Sequence, residues 1–475
     1  MNKESNGTKY LIKNIGFLTI SQFGTKILSF FLVPLYTSIL STEDYGTYDL
    51  VYSTVSILIP LLTINIFDAV LRFSIDEVSD RDKIFSIAIK YFFAGNAIIF
   101  VSLTINHFFT VFKSIDDYAF YFFMMFFVQS LLGIFTAFAR GLDRVLDLSV
   151  SGVICSIVII TSNILFLCVL KIGLRGYFLA NIIGPFLQIV FLFFKIKAWK
   201  YINFVSSSTD FEKKMIAYSA PMIANTIAWW VNSVSDRYVV VLFCGLGVMG
   251  VYSVASKIPS ILNIFQTIFN QAWTLSAVKD FDPNDENGFF TRMYNSYNVL
   301  MIILCSILIM MSKLLAVILY KGDFYSAWKY VPFLLISIVF GALSGYIGGI
   351  FTAVKNTKIF AKSTVIGAIT NLILNIILVP VIGALGAAIA TAISYWIVFF
   401  MRCKYMKQYI NLKINYVRDY ISYGLLILQS LALLLLKDEF QLYLIESILF
   451  LILIILYYKE LKIISNKLLR RKYHE

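Results

Sequence analysis

Residues 39–58, ILSTEDYGTYDLVYSTVSIL, recur in outline at residues 243–262, FCGLGVMGVYSVASKIPSIL. Ile39-Leu40 matches Phe243-Cys244, Tyr45-Gly46-Thr47-Tyr48 matches Met249-Gly250-Val251-Tyr252, and Ser56-Ile57-Leu58 matches Ser260-Ile261-Leu262, all at an offset of 204. A second pair follows in the same order. Asn163, Gly173-Leu174-Arg175-Gly176 and Ala180 are echoed by Asn375, Gly383-Ala384-Leu385-Gly386 and Ala390, offset by 210 at the glycines. Two matches at near-equal offset, at equivalent places in an apolar pattern, indicate a duplication. The units expected are 1–205 and 206–412, with 413–475 as an addition.

The medium follows from composition. Hydrophobic residues make up 59% and charged residues 14%, with a mean hydropathy of +0.81. Soluble domains average about 45–50% apolar and about 25% charged, so this chain has too little polar surface to face water. About 20 mostly apolar residues cross the roughly 30 Å of hydrocarbon. Spans are predicted at 12–38, 46–71, 84–108, 118–139, 146–170, 175–198, 215–243, 249–273, 295–319, 327–352, 360–382, 385–403, 418–436 and 440–458. The fold expected is an all-α polytopic membrane protein of about fourteen helices, two lobes of six plus two extra C-terminal helices. Met1 to Tyr10 is polar and leads into the first span without a small-residue cleavage site, so no cleaved leader is expected.

Orientation comes from the loops. With the N-terminus inside, 30 of the 40 lysines and arginines fall in inner segments, 7 in outer loops and 3 within spans. Positive charge accumulates on the cytoplasmic side, so both termini are expected there, in a bacterial inner membrane. The net charge of +13 is explained by this topology, with anionic membrane lipid as its counterion and no nucleic acid required. Six spans per unit is an even number, so the copies share an orientation and are expected to be related by a pseudo-two-fold axis along the membrane normal.

Several chemistries are excluded. Cys155, Cys168, Cys244, Cys305 and Cys403 stand singly, with no C-x-x-C, so neither a disulfide framework nor a zinc site is expected. The histidines are His107 and His474 alone. No nucleotide-binding loop, zincin helix or nucleophile elbow is present. No metal, cofactor or catalytic residue is expected, and any energy source is a gradient.

Polar residues concentrate in repeat mates, spans 1 and 7 and spans 2 and 8. Span 1 carries Thr19, Gln22, Lys26 and Ser29; span 2 carries Asp49, Ser53, Ser56, Pro60, Thr63 and Asp68. Span 7 carries Asn225, Asn232, Ser233, Asp236 and Arg237; span 8 carries Ser256, Lys257, Ser260, Asn263, Gln266, Thr267, Asn270 and Gln271. Much of this recurs at steps of three and four, on one helix face. Hydrogen bonding between helices is one account. A hydrated cavity shared by the two halves is the other, and concentration in two repeat pairs favours it.

The charges sharpen the reading, because an unpaired charge at mid-bilayer costs at least about 2.5–3.5 kcal/mol. Lys257 lies roughly 12 Å into span 8 and Lys26 about 18 Å into span 1 from their outer ends. Arg237, about two turns from the outer end of span 7, is close enough to snorkel or to pair with Asp236. Lys26, Arg237 and Lys257 leave the cavity net positive, which suits an anionic ligand. Gln22, Asn232, Asn263 and Asn270 are expected to line it. Asp68 and Arg72, spaced i,i+4, are expected to form an interfacial salt bridge or inner-mouth gate. Asp49 is expected to be solvated. Pro60, Pro221, Pro259, Pro332 and the glycines 341, 345, 348 and 349 mark places for bends or close packing.

The opening KNIGFLTISQFGTKILSFFLVPLYTSILSTEDYGTYDL resembles the polysaccharide transporter, or oligosaccharide flippase (Wzx-type), family of the multidrug/oligosaccharidyl-lipid/polysaccharide exporter superfamily. The resemblance is carried by Ser21-Gln22-Phe23-Gly24, Pro34-Leu35-Tyr36-Thr37 and Tyr45-Gly46-Thr47-Tyr48. It implies alternating access by two six-helix lobes, moving an undecaprenyl-pyrophosphate-linked oligosaccharide from the cytoplasmic to the outer leaflet. Such proteins hold the pyrophosphate with cations of helices 1, 2, 7 and 8, and Lys26, Arg237 and Lys257 occupy corresponding helices. The partners implied are the lipid-linked oligosaccharide, a polysaccharide polymerase and chain-length proteins, with one copy of the chain as the transport unit. The cavity looks less cationic than that of lipid II flippases. Two other readings compete. A drug/cation antiporter of the same superfamily would want buried carboxylates, for which Asp68, Asp236 and Glu446 are the candidates. An integral-membrane polysaccharide polymerase would want a large outer loop with catalytic groups, and the outer loops here are short.

Overall fold

The computed structural model describes residues 30–109, 116–203, 209–354 and 356–462. Over these residues the chain is helical, with no strand. Among the described residues eleven helices are long and apolar enough to cross a membrane, twelve if one bent pair counts as a single span. Large apolar side chains point outward throughout, among them Val381, Leu435, Phe440 and Ile455. In water such a surface would aggregate; in hydrocarbon it is solvated. The chain is a multi-pass membrane protein.

Contacts divide the chain into two compact units, one ending at Trp230 and the other beginning at Val231. In the first unit, α1 (Val33–Ile39) is the end of predicted span 1, whose residues up to 29 lie outside the described part. Span 2 is two helices, α2 (Thr42–Leu62) and α3 (Ile66–Asp76), bent by 55° at the break between them. Ser41 and Asp44 form a reciprocal capping box that starts α2. Pro60 cannot donate to the carbonyl of Ser56, and the helix breaks over Thr63 to Asn65. Ile64 and Asn65 adopt φ of 53° and 49°, and the Asn65 amide reaches back to the Pro60 carbonyl at 2.8 Å.

Next come α4 (Arg81–Phe109), α5 (Ala119–Gly141), α6 (Val145–Asn163) and α7 (Gly173–Lys195). Helix α6 continues as a π-helical turn over Ile164–Val169. Gly95 lets α4 approach the break in span 2, since a Cβ there would lie 3.1 Å from the Leu62 carbonyl oxygen. The first unit is completed by residues 209–230 of α8 (Thr209–Ala255). Lys90 of α4 forms a two-pronged ion pair with Glu212 at 2.8 and 3.0 Å, and the Tyr91 hydroxyl donates to the same carboxylate at 2.8 Å. Further along, the Trp230 indole donates to the Ser53 carbonyl and to Ser56 Oγ at 3.1 and 3.0 Å.

Helix α8 has 47 residues, roughly 70 Å if straight and twice the hydrocarbon thickness. It bends at Gly245, whose φ of 85° and ψ of 172° are non-helical. Predicted span 7 ends there, and span 8 begins with the remainder of α8. After Ser256 the chain resumes as α9 (Lys257–Lys279). Pro259 lacks the amide that would have bonded the Ala255 carbonyl, which accounts for the interruption.

The second unit continues with α10 (Phe289–Met310), α11 (Ser312–Leu319), α12 (Val331–Ala353), α13 (Thr357–Ile382), α14 (Ala384–Met406), α15 (Tyr416–Leu435) and α16 (Glu439–Leu456). Helix α12 is its centre, apolar on every side and buried nearly throughout. It packs on α14, α9 and α10, while α15 and α16 pack on each other and on α10. The hairpin glycines of the second sequence repeat share a positive φ. Gly173 and Gly383 have φ of 58° and 64°, and a Cβ on Gly176 or Gly386 would collide at 2.8 or 2.7 Å with the preceding helix.

Candidate functional site

Of the expected site residues, Gln22 and Lys26 lie outside the described part of the chain. The structure brings Asn232, Asp236 and Arg237 together on α8 in the second unit. Asn232 and Asp236, one turn apart, are 6% and 8% exposed, and Arg237 is half-buried. One oxygen of Asp236 accepts from the Arg237 backbone amide at 2.9 Å. The other accepts from the Tyr252 hydroxyl at 2.5 Å. The bend at Gly245 makes this contact, by folding the short last piece of α8 back toward the first.

From Tyr252 the polar contacts run on through residues that the sequence reading did not place at the site. Its hydroxyl also meets Thr391 of α14. The Asn371 amide of α13 donates to Thr391 Oγ1 at 3.2 Å, and Asn375 donates to the Asn371 side chain at 2.9 Å. Thr391, Asn371 and Asn375 are all buried. A chain of oxygen-bearing side chains thus crosses three helices of the second unit, with Asp236 at its head. Buried Asn232 Oδ1 and Ser235 Oγ beside it have no hydrogen-bond partner among the described residues. The signal for these residues was present: Asn371 and Asn375 are two amides one turn apart in an otherwise apolar span.

Lys257, Asn263 and Asn270 stand apart on α9. Lys257 is its first residue, half-buried, directly after the interruption at Ser256. Its ammonium makes no ion pair among the described residues. Asn263 is exposed and Asn270 half-buried. The Asn270 amide lies flat on α12, where a Cβ on Gly345 would come within 2.7 Å of Nδ2. Gly341 faces Gln266 at 3.7 Å and Gly349 faces the Trp273 indole at 2.6 Å by the same measure. The glycine stripe is therefore the groove that receives the polar and aromatic face of α9. For Asn270 and Gln266, helix packing is the better account. Many hydroxyls of the stripes are also satisfied locally: Ser260, Thr267 and Thr274 bond the carbonyls of Lys257, Asn263 and Asn270.

Three expectations are corrected. Arg72 pairs with Asp76 at 3.0 Å rather than with Asp68. The Asp68 carboxylate instead accepts from Asn65, whose left-handed backbone turns its amide onto the first turn of α3, at 2.5 Å. Asp49 is 8% exposed, not solvated, because α2 buries it on the face that also buries Tyr45, Tyr48 and Ser53. Arg402, counted from the sequence among inner-loop charges, is 4% exposed, since α14 runs on to Met406. Its guanidinium donates to Ser363 Oγ, the Ser344 carbonyl and Thr364 Oγ1 at 2.9, 2.8 and 3.0 Å, and lies over the Phe360 ring. The described residues contain no cluster of three or more His, Cys, Asp or Glu that could hold a metal.

The family model for polysaccharide biosynthesis proteins matches residues 11–275, more than half of the chain. The chain belongs to that family. A probable low-salt glycan biosynthesis flippase of Haloferax volcanii, Agl15, is 24% identical over 214 residues, 43% of this chain. That alignment spans 44% of the relative's own length. Among solved structures, the lipid II flippase MurJ in an inward closed conformation matches with a TM-score of 0.68 at 18% identity, covering 95% of this chain and 99% of that one. An inward-facing multidrug resistance MATE transporter of the MOP superfamily matches with a TM-score of 0.64 at 12% identity, covering 82% and 98%. The fold of this family member is the MurJ and MATE fold.

Proposed function

We propose that the chain is a flippase that moves an undecaprenyl-pyrophosphate-linked oligosaccharide repeat unit, of O-antigen or capsule type, from the cytoplasmic to the outer leaflet by alternating access. The observation that carries the reading is Lys257: a half-buried ammonium at the first residue of α9, directly after the interruption at Ser256, with no carboxylate partner among the described residues. Such a cation is costly where it stands, and a pyrophosphate supplies the missing counter-charge with short, charge-assisted hydrogen bonds. Arg237 adds positive charge in the same unit, with Asn232 and Asn263 as neutral donors, and Lys26, outside the described residues, is proposed as a further cation for the same substrate. Membership of a polysaccharide biosynthesis family and likeness to a glycan flippase support the substrate class. On this reading the chain works as a single copy in a bacterial inner membrane, termini cytoplasmic, beside a polysaccharide polymerase and chain-length proteins.

The experiment replaces Lys257 by Ala and by Arg and follows surface polysaccharide at matched protein level. Output should fall at least about tenfold in the Ala variant, equivalent to about 1.4 kcal/mol of lost anion binding, and recover partly in the Arg variant. Unchanged output from Lys257→Ala would sink the anion site. A second reading, cation/drug antiport, is favoured by one observation, the buried Asp236 network. Drug resistance that depends on Asp236 but not on Lys257 would select it.

A further inference from the structure

The last two helices carry an acid that the flippase reading leaves unused. Glu446 stands at the eighth position of α16, about 10 Å from one helix end and 15 Å from the other. It is fully buried. Gln429 on α15 faces its carboxyl as a hydrogen-bonding neighbour, although among the described residues neither the Glu446 oxygens nor Gln429 Nε2 makes a hydrogen bond of full geometry. Gln429 is also fully buried, and its Oε1 accepts from Ser306 Oγ of α10 at 2.8 Å. A carboxyl, an amide and a hydroxyl from three mutually packed helices thus sit in surroundings that are otherwise apolar.

Among the described residues no basic side chain offsets the acid. Glu446 forms no ion pair among the described residues. Titratable groups on the helices packed against it are Tyr416, Arg418, Asp419, Tyr420 and Tyr423 of α15, and Arg292, Tyr294, Tyr297 and Cys305 of α10. On its own helix stand Glu439 and Tyr443, the latter approached by Tyr325. Only Cys305 adjoins the triad in sequence. The charged pair Arg418 and Asp419 lies ten or more residues along α15 from Gln429, about 15 Å away, and is bonded to itself and to Glu460.

An ionised carboxylate without counter-charge is not held in such a place; the group neutralises. The neutral acid, with one donor and spare acceptor capacity, matches an amide that offers both. We propose that Glu446, with Gln429 and Ser306, is a proton-binding site in the appended helix pair. The proton sits on the Glu446 carboxyl, shared toward the Gln429 amide. It leaves when the contact of α15 and α16 with α10 admits water. The site is independent of the substrate reading, since it shares no residue with it.

The test is infrared spectroscopy of the purified full chain in lipid nanodiscs, wild type against Glu446→Gln. The expected result is a carboxylic-acid carbonyl band at neutral pH that is missing from Glu446→Gln. In Gln429→Leu, which keeps the acid and removes its partner, the band should move to the position of a free carboxyl. A wild-type spectrum with no acid band lost in Glu446→Gln overturns the proposal. So does a sodium-dependent rise in melting temperature present in wild type and absent from Glu446→Gln, which assigns the site to a metal cation. Titrating the wild-type band with pH reads the same group should Glu446→Gln fail to fold.

Discussion

The Tyr252 hydroxyl meets the Asp236 carboxylate at 2.5 Å, two residues on opposite sides of the Gly245 bend. The contact depends on a backbone conformation that favours glycine, since φ at Gly245 is 85°. No neighbouring atom lies where a Cβ would be. Gly245→Ala should therefore cost about 1–3 kcal/mol through backbone strain alone. Tyr252→Phe should cost about 1.5–3 kcal/mol, the range for a hydrogen bond to a charged group. Thermal unfolding in detergent checks both. If strain at Gly245 acts by pulling Tyr252 off Asp236, the double variant will lose less than the two single losses added together.

The glycine groove on α12 makes a steric prediction. Gly345→Leu forces the Asn270 amide off its seat and should destabilise the second unit by about 1–3 kcal/mol. Asn270→Ala in the same chain should restore part of the loss, read as recovery of melting temperature.

At the start of α8, the ion pair of Lys90 with Glu212 holds that helix to α4. Lys90 is exposed, so the pair is worth up to about 1 kcal/mol, although Glu212 is largely covered. Lys90→Glu should raise hydrogen exchange over residues 209–218. The charge swap Lys90→Glu with Glu212→Lys should lower it again, whereas a purely steric role for Lys90 predicts no rescue.

Arg402 is buried with three neutral acceptors and an aromatic ring. Lysine cannot reproduce the planar fork, so Arg402→Lys should lose about 2–4 kcal/mol, with up to two broken hydrogen bonds and a strained cation. Arg402→Met, of similar length and uncharged, should be the milder change because it removes the buried charge altogether. Melting temperatures of the two variants decide the order.

Most of the helices were legible because a bilayer fixes their length, and apolar runs of that length have few alternative readings. What escaped was the interior of the spans. Pro60 announced a bend, but the break falls three to five residues later, at Thr63 to Asn65, where two non-glycine residues turn left-handed. The π-helical turn at Ile164–Val169 has no glycine or proline to mark it. At the site, charge flagged Asp236, Arg237 and Lys257, since each is conspicuous against an apolar background. Asn371 and Thr391 fell below notice, and Asn375 was read only as a mark of the repeat, because three neutral groups scattered over two spans barely change their hydropathy. Arg402 was hidden by its position near a span end, where a basic residue usually means a loop.

The seam between α9 and α12 bears on how such chains diverge. Gly345 and Gly349 leave no room for a side chain opposite Asn270 and Trp273. Neither row is then free to vary alone. Where a homologous chain carries bulk at a position equivalent to Gly345 or Gly349, the facing residue should have shrunk to match. Pairwise covariation across the seam, rather than invariance at either helix, is the evolutionary signature this packing should leave.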